Sequence, residues 1–304
     1  MKKQMHSCFA YILPAAQMLQ DMEGHGFMEI DRQRVKDAFA EYASHYDASD
    51  GKIKLKIDHT YRVAGLCDRI ARSLDLPVED VDLAWLLGML HDVGRFEQLR
   101  QYGTFSDADS IDHAHFAIEI LFNQERLADY IEITPDMGSV LNHAEYFAGK
   151  HMECNEDIFI IYKAIWNHSA YRVEDGLNAR TRMFCDILRD GDKVDILKVN
   201  QDVPMEVIYD VTAGELRQAE VTEAVMGQFF ERHAILRSTK RTCVDNIVGH
   251  AALVFELVYP ESRRAVDEQG YLHKLLKFSS DNPKTMEQFQ RLRRCMEEYL
   301  AVQK

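Results

Sequence analysis

Apolar residues recur at helical spacing along most of the chain. Residues 52–74 predict a long helix, because apolar positions repeat there at i, i+4 and i+7. One face of this helix carries His59, Val63, Leu66 and Ile70. A second helix is predicted after Pro77, which is followed by two acidic residues and then by an apolar stretch that leads into the pair His91-Asp92.

The same spacing predicts further helices on both sides of residue 200. Before it, helices are expected over residues 111–122, 158–168 and 181–199, the last with Leu188, Asp192 and Asp195 on one side. Residues 98–110 have mixed polarity and are interpreted as a loop. After residue 200, an apolar helix is expected at 247–258, and a last helix follows Pro283.

Few residues interrupt these patterns, since the 304 residues include only 6 Pro and 15 Gly. A many-stranded sheet needs frequent turns, so the composition favours an all-α fold. Dense His and Asp clusters are confined to the chain before residue 200. We therefore expect N-terminal helices over residues 1–40, a main domain over 41–200, and a C-terminal helical region over 201–304 that packs on the main domain.

Charge and cysteine usage narrow the function classes. The net charge of −14 would repel a nucleic acid, whereas a small anionic substrate remains compatible if a bound divalent cation inverts the local field. The six cysteines are widely spread without a C-x-x-C pair, which indicates reduced thiols in a cytoplasmic protein. Residues 1–26 are too short and polar for a membrane span and predict an amphipathic helix. A homodimer is a further expectation.

The pair His91-Asp92 is the sharpest chemical feature, because it ends a buried apolar helix where an unpaired carboxylate would be costly. His59 lies on the apolar face of the preceding predicted helix, and Asp192 lies on a helix otherwise suited to burial. Each has an ordinary alternative. A lone His in a core is more often hydrogen-bonded to a carbonyl than bound to a metal, and Asp190, Asp192 and Asp195 could form a solvated acidic face.

Taken in order, DHTYRV, GMLHDVGRFEQ and RDGDKVDIL resemble the HD superfamily of metal-dependent phosphohydrolases over roughly residues 40–200. The resemblance implies an all-α HD-domain bundle with additional C-terminal helices. It also implies a divalent metal that activates water, held by His59, His91, Asp92 and Asp192. Imidazole and carboxylate ligands suit Mn, Fe, Co, Ni, Zn or Mg and do not choose among them.

A second metal depends on further histidines. His113 and His115 point to nearly opposite sides of a helix, and His113 is the inward choice because it shares a face with Ala117 and Ile120. Resemblance to two-metal members of the superfamily implies that Asp92 bridges the ions and that His113 and His168 bind the second one. His143 competes with His168 for this role. The alternative is one ion, with His113 and His168 as neighbouring or substrate-contacting residues.

The expected reaction is hydrolysis of a phosphoester or phosphoanhydride in a nucleotide-like or other small phosphorylated substrate. Asp92, Arg95 and Lys193 are the expected catalytic residues, and the Arg95 and Lys193 side chains are expected to offset the negative charge of the phosphate. The sequence leaves Glu97 open between a general acid and a solvated residue. Two other functions remain: a di-iron oxygenase on the same scaffold, and a non-catalytic module that binds metal or nucleotide.

Overall fold

All regular structure in the described part of the chain is helical. The structure is a computed structural model that describes residues 28–134, 155–202, 204 and 211–303. The predicted all-α fold class is therefore confirmed. The amphipathic helix expected over residues 1–26 lies outside the described residues. So do residues 140–147, where the sequence allows one further helix.

The helices before residue 203 contain the residues of the predicted site. In chain order they are α1 (Arg32–Ser44), α2 (Gly51–Ser73), α3 (Val78–Leu90), α4 (Val93–Tyr102), α5 (His113–Ile118, continued by a π-helical turn Glu119–Asn123), α6 (Leu127–Tyr130), α7 (Glu156–Asn167) and α8 (Ala179–Asp202). The C-terminal region contains α9 (Ala213–Gln218), α10 (Glu223–Phe230), α11 (Val244–Ala252), α12 (Pro260–Gln269), α13 (Tyr271–Leu276) and α14 (Pro283–Gln303), with short 3-10 turns at Arg237–Thr239 and Leu253–Glu256.

Side-chain caps fix where several of these helices begin. Asp50 accepts a hydrogen bond from the backbone N–H of Lys52 at the start of α2, and Asn155 caps α7 in the same way. Asp112 accepts from two backbone N–H groups and so begins α5 at His113. These caps satisfy donors that have no partner within the helix.

A close approach of α2 and α3 brings two predicted ligands together. A Cβ added to Gly88 would lie 2.5 Å from the Cα of Ala64, so only glycine allows this packing distance. His59 on α2 and His91 just after α3 consequently face each other, with ring centroids 5.3 Å apart. Helix α8 packs against both α2 and α3 and adds Asp192.

The predicted loop at 98–110 is partly wrong, because α4 continues to Tyr102 and ends where Gly103 adopts a left-handed conformation with φ of 70°. The prediction took polar residues as a sign of an exposed loop. Glu97 and Gln98 are instead buried in the helix, where hydrogen bonds satisfy their side chains. Helix α4 also packs tightly on α5: a Cβ added to Gly94 would lie 2.3 Å from the carbonyl oxygen of His113.

Two apolar clusters make up the core, and α8 contributes to both. The first draws on residues 28–188, and the second combines Leu66 with residues from Val194 to Leu300. Asp192 lies between these two parts of α8. The division into 1–40, 41–200 and 201–304 stays a prediction, as does the homodimer. No helix in the described ranges is long and apolar enough to cross a membrane.

Candidate metal centre

Six predicted ligands are delivered by separate helices to one buried place. His59 is in the middle of α2, His91 and Asp92 lie between α3 and α4, His113 begins α5, His168 follows α7, and Asp192 is on α8. Five of the six are almost fully buried, and the side chain of Asp192 is 15% exposed. The structure therefore brings together the whole predicted set, and its open side is at Asp192.

The first group of ligand atoms comes from His59, His91 and Asp192. The Nε2 of His59 lies 3.2 Å from Oδ1 of Asp192 and 3.4 Å from Nε2 of His91. The Oδ2 of Asp92 lies 3.5 Å from the first of these nitrogens and 3.6 Å from the second. Two ligands about 2.1 Å from one ion are about 3.0 Å apart at a right angle and about 3.4 Å apart at the tetrahedral angle, so these spacings suit a shared cation.

The second group comes from Asp92, His113 and His168. The Nε2 atoms of His113 and His168 are 3.0 Å apart, and they lie 3.5 Å and 3.8 Å from Oδ1 of Asp92. Asp92 thus presents one oxygen to each group. This is the arrangement of a carboxylate that bridges two ions.

In all four histidines of the centre, Nδ1 makes a hydrogen bond to another group of the protein. Backbone carbonyls of Gly88 and Ile165 accept from Nδ1 of His91 and His168, at 2.8 and 2.7 Å. A carbonyl cannot donate, so these rings carry their hydrogen on Nδ1 and leave a lone pair on Nε2.

Carboxylates fix the other two rings in the same way. Asp195 accepts from His59 at 2.6 Å, and Asp107 accepts from His113 at 2.9 Å. The Nε2 lone pairs of the four imidazoles consequently point into one buried site. Without a positive charge between them, the Nε2 atoms of His113 and His168 would repel each other. The donor set therefore fits a divalent cation in each group.

Burial and neighbouring charges hold three of the ligands, His91, His113 and Asp92, in their metal-binding protonation states. Burial lowers the pKa of His91 to about 4, and burial together with the Arg95 guanidinium lowers the pKa of His113 to about 4. Burial opposes ionisation of Asp92, but Lys56 and the adjacent imidazoles outweigh it, and the pKa of Asp92 lies well below its usual range. Near neutral pH the two imidazoles are thus neutral and the carboxylate is charged, as metal ligation requires.

Helix α8 also holds the backbone around His168 in place, through Arg189. The Nη1 of Arg189 donates to the carbonyl oxygens of Asn167 and Ala170 at 2.6 Å and to that of His168 at 3.2 Å. These carbonyls lie at and just after the C-terminal end of α7, where the helix supplies no further N–H donors in its regular pattern. One helix therefore supplies Asp192 and also the anchor for a ligand of the second group.

Two cationic side chains, Lys56 and Arg95, lie against the Asp92 carboxylate. The Nζ of Lys56 donates to Oδ2 of Asp92 at 2.6 Å, and Nε of Arg95 lies 3.7 Å from Oδ1. The Nη1 of Arg95 binds Oδ1 of Asp107 at 2.8 Å, and both cations lie near the Phe105 ring. The side chains of Lys56, Arg95, Asp107 and Asp192 are 11–17% exposed, whereas the other five ligands are almost fully buried. We call these four side chains the opening of the centre.

Other sequence-predicted residues lie elsewhere. Nζ of Lys193 donates to the carbonyl oxygen of Glu256 at 3.5 Å. Among the described residues it makes no hydrogen bond to the ligand set, so its catalytic role stays a prediction. Glu97 bonds to Tyr46 and Arg100. His115, expected to be peripheral, stacks on Trp166. His143, the competitor of His168, lies outside the described residues.

Sequence reasoning missed three residues around the ligands. The sequence predicts Asp195 on the same helix side as Asp192 but gives it no role beyond a possible solvated acidic face, yet it is buried and accepts from both His59 and Arg62. Its place one helical turn after Asp192 is a signal that could have identified it. Asp107 and Lys56 gave no comparable signal, because each reaches the centre through packing between separate segments.

The comparisons with known proteins bear on this region. Residues 57–188 match the family model described as HD domain. The matched span includes His59, His91, Asp92, His113 and His168 and ends shortly before Asp192. No curated protein and no solved structure gave a match to the chain.

Proposed function

We propose that the chain is a divalent-metal-dependent phosphohydrolase with a two-metal centre, because residues 57–188 match the HD-domain family model. Its substrate is a nucleotide-like or other small phosphorylated molecule. The observation that carries the proposal is the position of Asp92, whose two oxygens face two separate groups of imidazole nitrogens. A single structural cation would not need both groups.

The proposed ligands follow from the two groups. His59, His91, Asp92 and Asp192 hold the first ion, and Asp92, His113 and His168 hold the second. Bound divalent metals make water more acidic and offset negative charge on a phosphoryl group. The imidazole hydrogen bonds at Nδ1 keep the ligands oriented, so that little reorganisation is needed when substrate binds.

Lys56 and Arg95 are the proposed cations for the phosphoryl oxygens. Both lie within 4 Å of Asp92 and belong to the partly exposed side chains of the opening, so both can contact an anion bound there. The Nε of Arg95 is buried and has no hydrogen-bond partner in the described structure, which leaves a donor for a ligand. Lys193 remains a further prediction for this role.

The test is metal-dependent release of phosphate from a panel of phosphoesters and nucleotides. Asp92→Asn keeps the shape of the side chain and removes the charge that both ions share, so we expect activity to fall at least a hundredfold. Asp58→Asn is the matched control, because Asp58 is exposed next to His59 and should leave activity within twofold of the unaltered protein. Phosphate release by Asp92→Asn with a chelator present would contradict the proposal.

The four imidazoles favour a transition metal over Mg²⁺, which keeps a di-iron oxygenase as the second candidate. Iron-loaded protein that consumes oxygen with an organic substrate, and releases no phosphate from the panel, would support this candidate. Nucleotide binding without turnover under every metal would support a non-catalytic module.

A further inference from the structure

The C-terminal region places a basic segment beside the metal centre. Residues 232–241 contain Arg232, Arg237, Lys240 and Arg241 and no acidic residue, in a chain whose net charge is −14. Its local charge is thus opposite to that of the whole protein.

Arg237 is the member that reaches the opening. Its Nη2 lies 3.8 Å from Oδ2 of Asp107, and its side chain is 71% exposed. Asp107 in turn accepts from Nδ1 of His113, whose Nε2 faces the second group of ligand atoms. Arg237 is therefore separated from that group by one carboxylate and the width of one imidazole ring.

The contact between Arg237 and Asp107 is not needed to satisfy the carboxylate. Arg95 and Gln98 donate to Oδ1 of Asp107 at 2.8 and 3.0 Å, and His113 also contacts it. An exposed ion pair at 3.8 Å adds little to these bonds. The guanidinium can consequently move from Asp107 to a ligand anion without leaving a buried charge uncompensated.

The segment that carries Arg237 is held in place by the rest of the fold. The backbone N–H of Ala234 donates to Glu256, and that of Leu236 donates to Gln228, both at 2.9 Å. The hydroxyl of Tyr171, three residues after His168, donates to the carbonyl oxygen of Ala234 at 3.3 Å. The base of the Arg237 side chain therefore has a fixed position relative to the metal centre.

We propose that Arg237 binds an anionic group of the substrate that lies beyond the phosphoryl group held at the metal centre. The substrate then carries at least two anionic groups, as a phosphoanhydride or a bisphosphate does. This inference rests on the proposed phosphohydrolase function and adds a specificity residue from the C-terminal region. It explains why a basic segment of an acidic protein lies at this opening.

The experiment compares two ligands that differ by one anionic group. Binding of imidodiphosphate, which resists hydrolysis, and of inorganic phosphate is measured by calorimetry on protein loaded with Mn²⁺ and then desalted. We expect Arg237→Ala to weaken imidodiphosphate binding about tenfold and phosphate binding less than twofold. Arg237→Lys should give an intermediate loss, since it keeps the charge and loses the two-pronged geometry.

Arg217→Ala is the matched control, because Arg217 is an exposed arginine whose Nε also lies 3.8 Å from an aspartate, Asp281, away from this opening. It should change neither affinity. Equal weakening of both ligands by Arg237→Ala, or no weakening, overturns the inference. Asp92→Asn separates this failure from that of the proposed function: if phosphate binding does not depend on Asp92, the metal-centre proposal itself fails and the inference with it.

Discussion

Asp195→Asn isolates the hydrogen bond that orients a metal ligand without touching the metal site directly. Oδ2 of Asp195 accepts from Nδ1 of His59 at 2.6 Å and from Arg62 at 2.9 Å, and Oδ1 accepts from Arg62 at 2.6 Å. Asparagine has nearly the same shape but offers one acceptor oxygen and an NH2 group. One of the donors now bonded to Asp195 would then face another donor.

The expected loss of metal affinity follows from these contacts. Burial and Lys56 lower the pKa of His59, but the bonds to Asp192 and Asp195 outweigh them and raise it, so Asp195 makes this imidazole a stronger base. Loss of such a partner behind a ligand reduces metal affinity by about 10- to 100-fold, or about 1.4 to 2.7 kcal/mol. We expect the affinity to fall for the ion that His59 would hold and to stay unchanged for the other ion.

The assay is competition for metal between the protein and a chromophoric chelator, read at equilibrium. Asp190→Asn is the control on the same helix: Asp190 is equally buried, but its oxygens accept from Val258, Tyr259 and Ser262 in the C-terminal region. It should lower the unfolding temperature and leave metal affinity within twofold of the original. If Asp195→Asn also binds both ions within twofold of the original, the reasoning about ligand orientation is refuted.

Three further predictions concern stability and catalysis. Acidification of the metal-free protein from pH 6.5 to about 4 should lower its free energy of unfolding by up to about 3 kcal/mol through His91, with a further loss through His113. Burial puts their folded pKa values, about 4, below the unfolded value, so the unfolded state binds more protons. Denaturant titration with a chelator present measures this loss. Gly94→Ala should destabilise the fold by about 1 to 3 kcal/mol in the same assay, because its Cβ would meet the carbonyl oxygen of His113. Lys56→Met should lower kcat about a hundredfold while metal still binds, because it removes a cation from beside Asp92.

Each of these predictions has a result that contradicts it. Stability that rises as pH falls from 6.5 would reverse the sign expected for buried neutral imidazoles. An unchanged unfolding free energy in Gly94→Ala would show that α4 and α5 are not in close contact. The control is Gly214→Ala on α9, where the added Cβ would make only an ordinary contact at 3.9 Å with Oγ1 of Thr212. Loss of metal from Lys56→Met would show that Lys56 supports ligation rather than the reaction.

The fold class could be predicted from the sequence because helical periodicity and scarce Pro and Gly are local properties. The same periodicity placed His59 and Asp192 on inward faces, and the structure brings both to His91-Asp92. The choice of His113 over His115 also followed from one helix, since residues two apart point to opposite sides. These features depend on spacing within single helices.

Contacts between distant segments could not be predicted in this way. Asp107 lies in the segment between α4 and α5, and it reaches His113 only because that segment folds back over the centre. Arg237 comes from a region that shares no motif with the rest of the site. Periodicity also failed at residues 98–102, where a buried polar side chain such as Gln98 imitates the composition of a loop.

The most direct test of the central claim is the amount of metal bound per chain. Protein loaded with Mn²⁺, desalted and analysed by inductively coupled plasma mass spectrometry should hold two ions per chain. His168→Gln should hold one, because it removes a ligand of the second group and leaves the first intact. One ion or fewer in the unaltered protein, or two in His168→Gln, would contradict a two-metal centre bridged by Asp92.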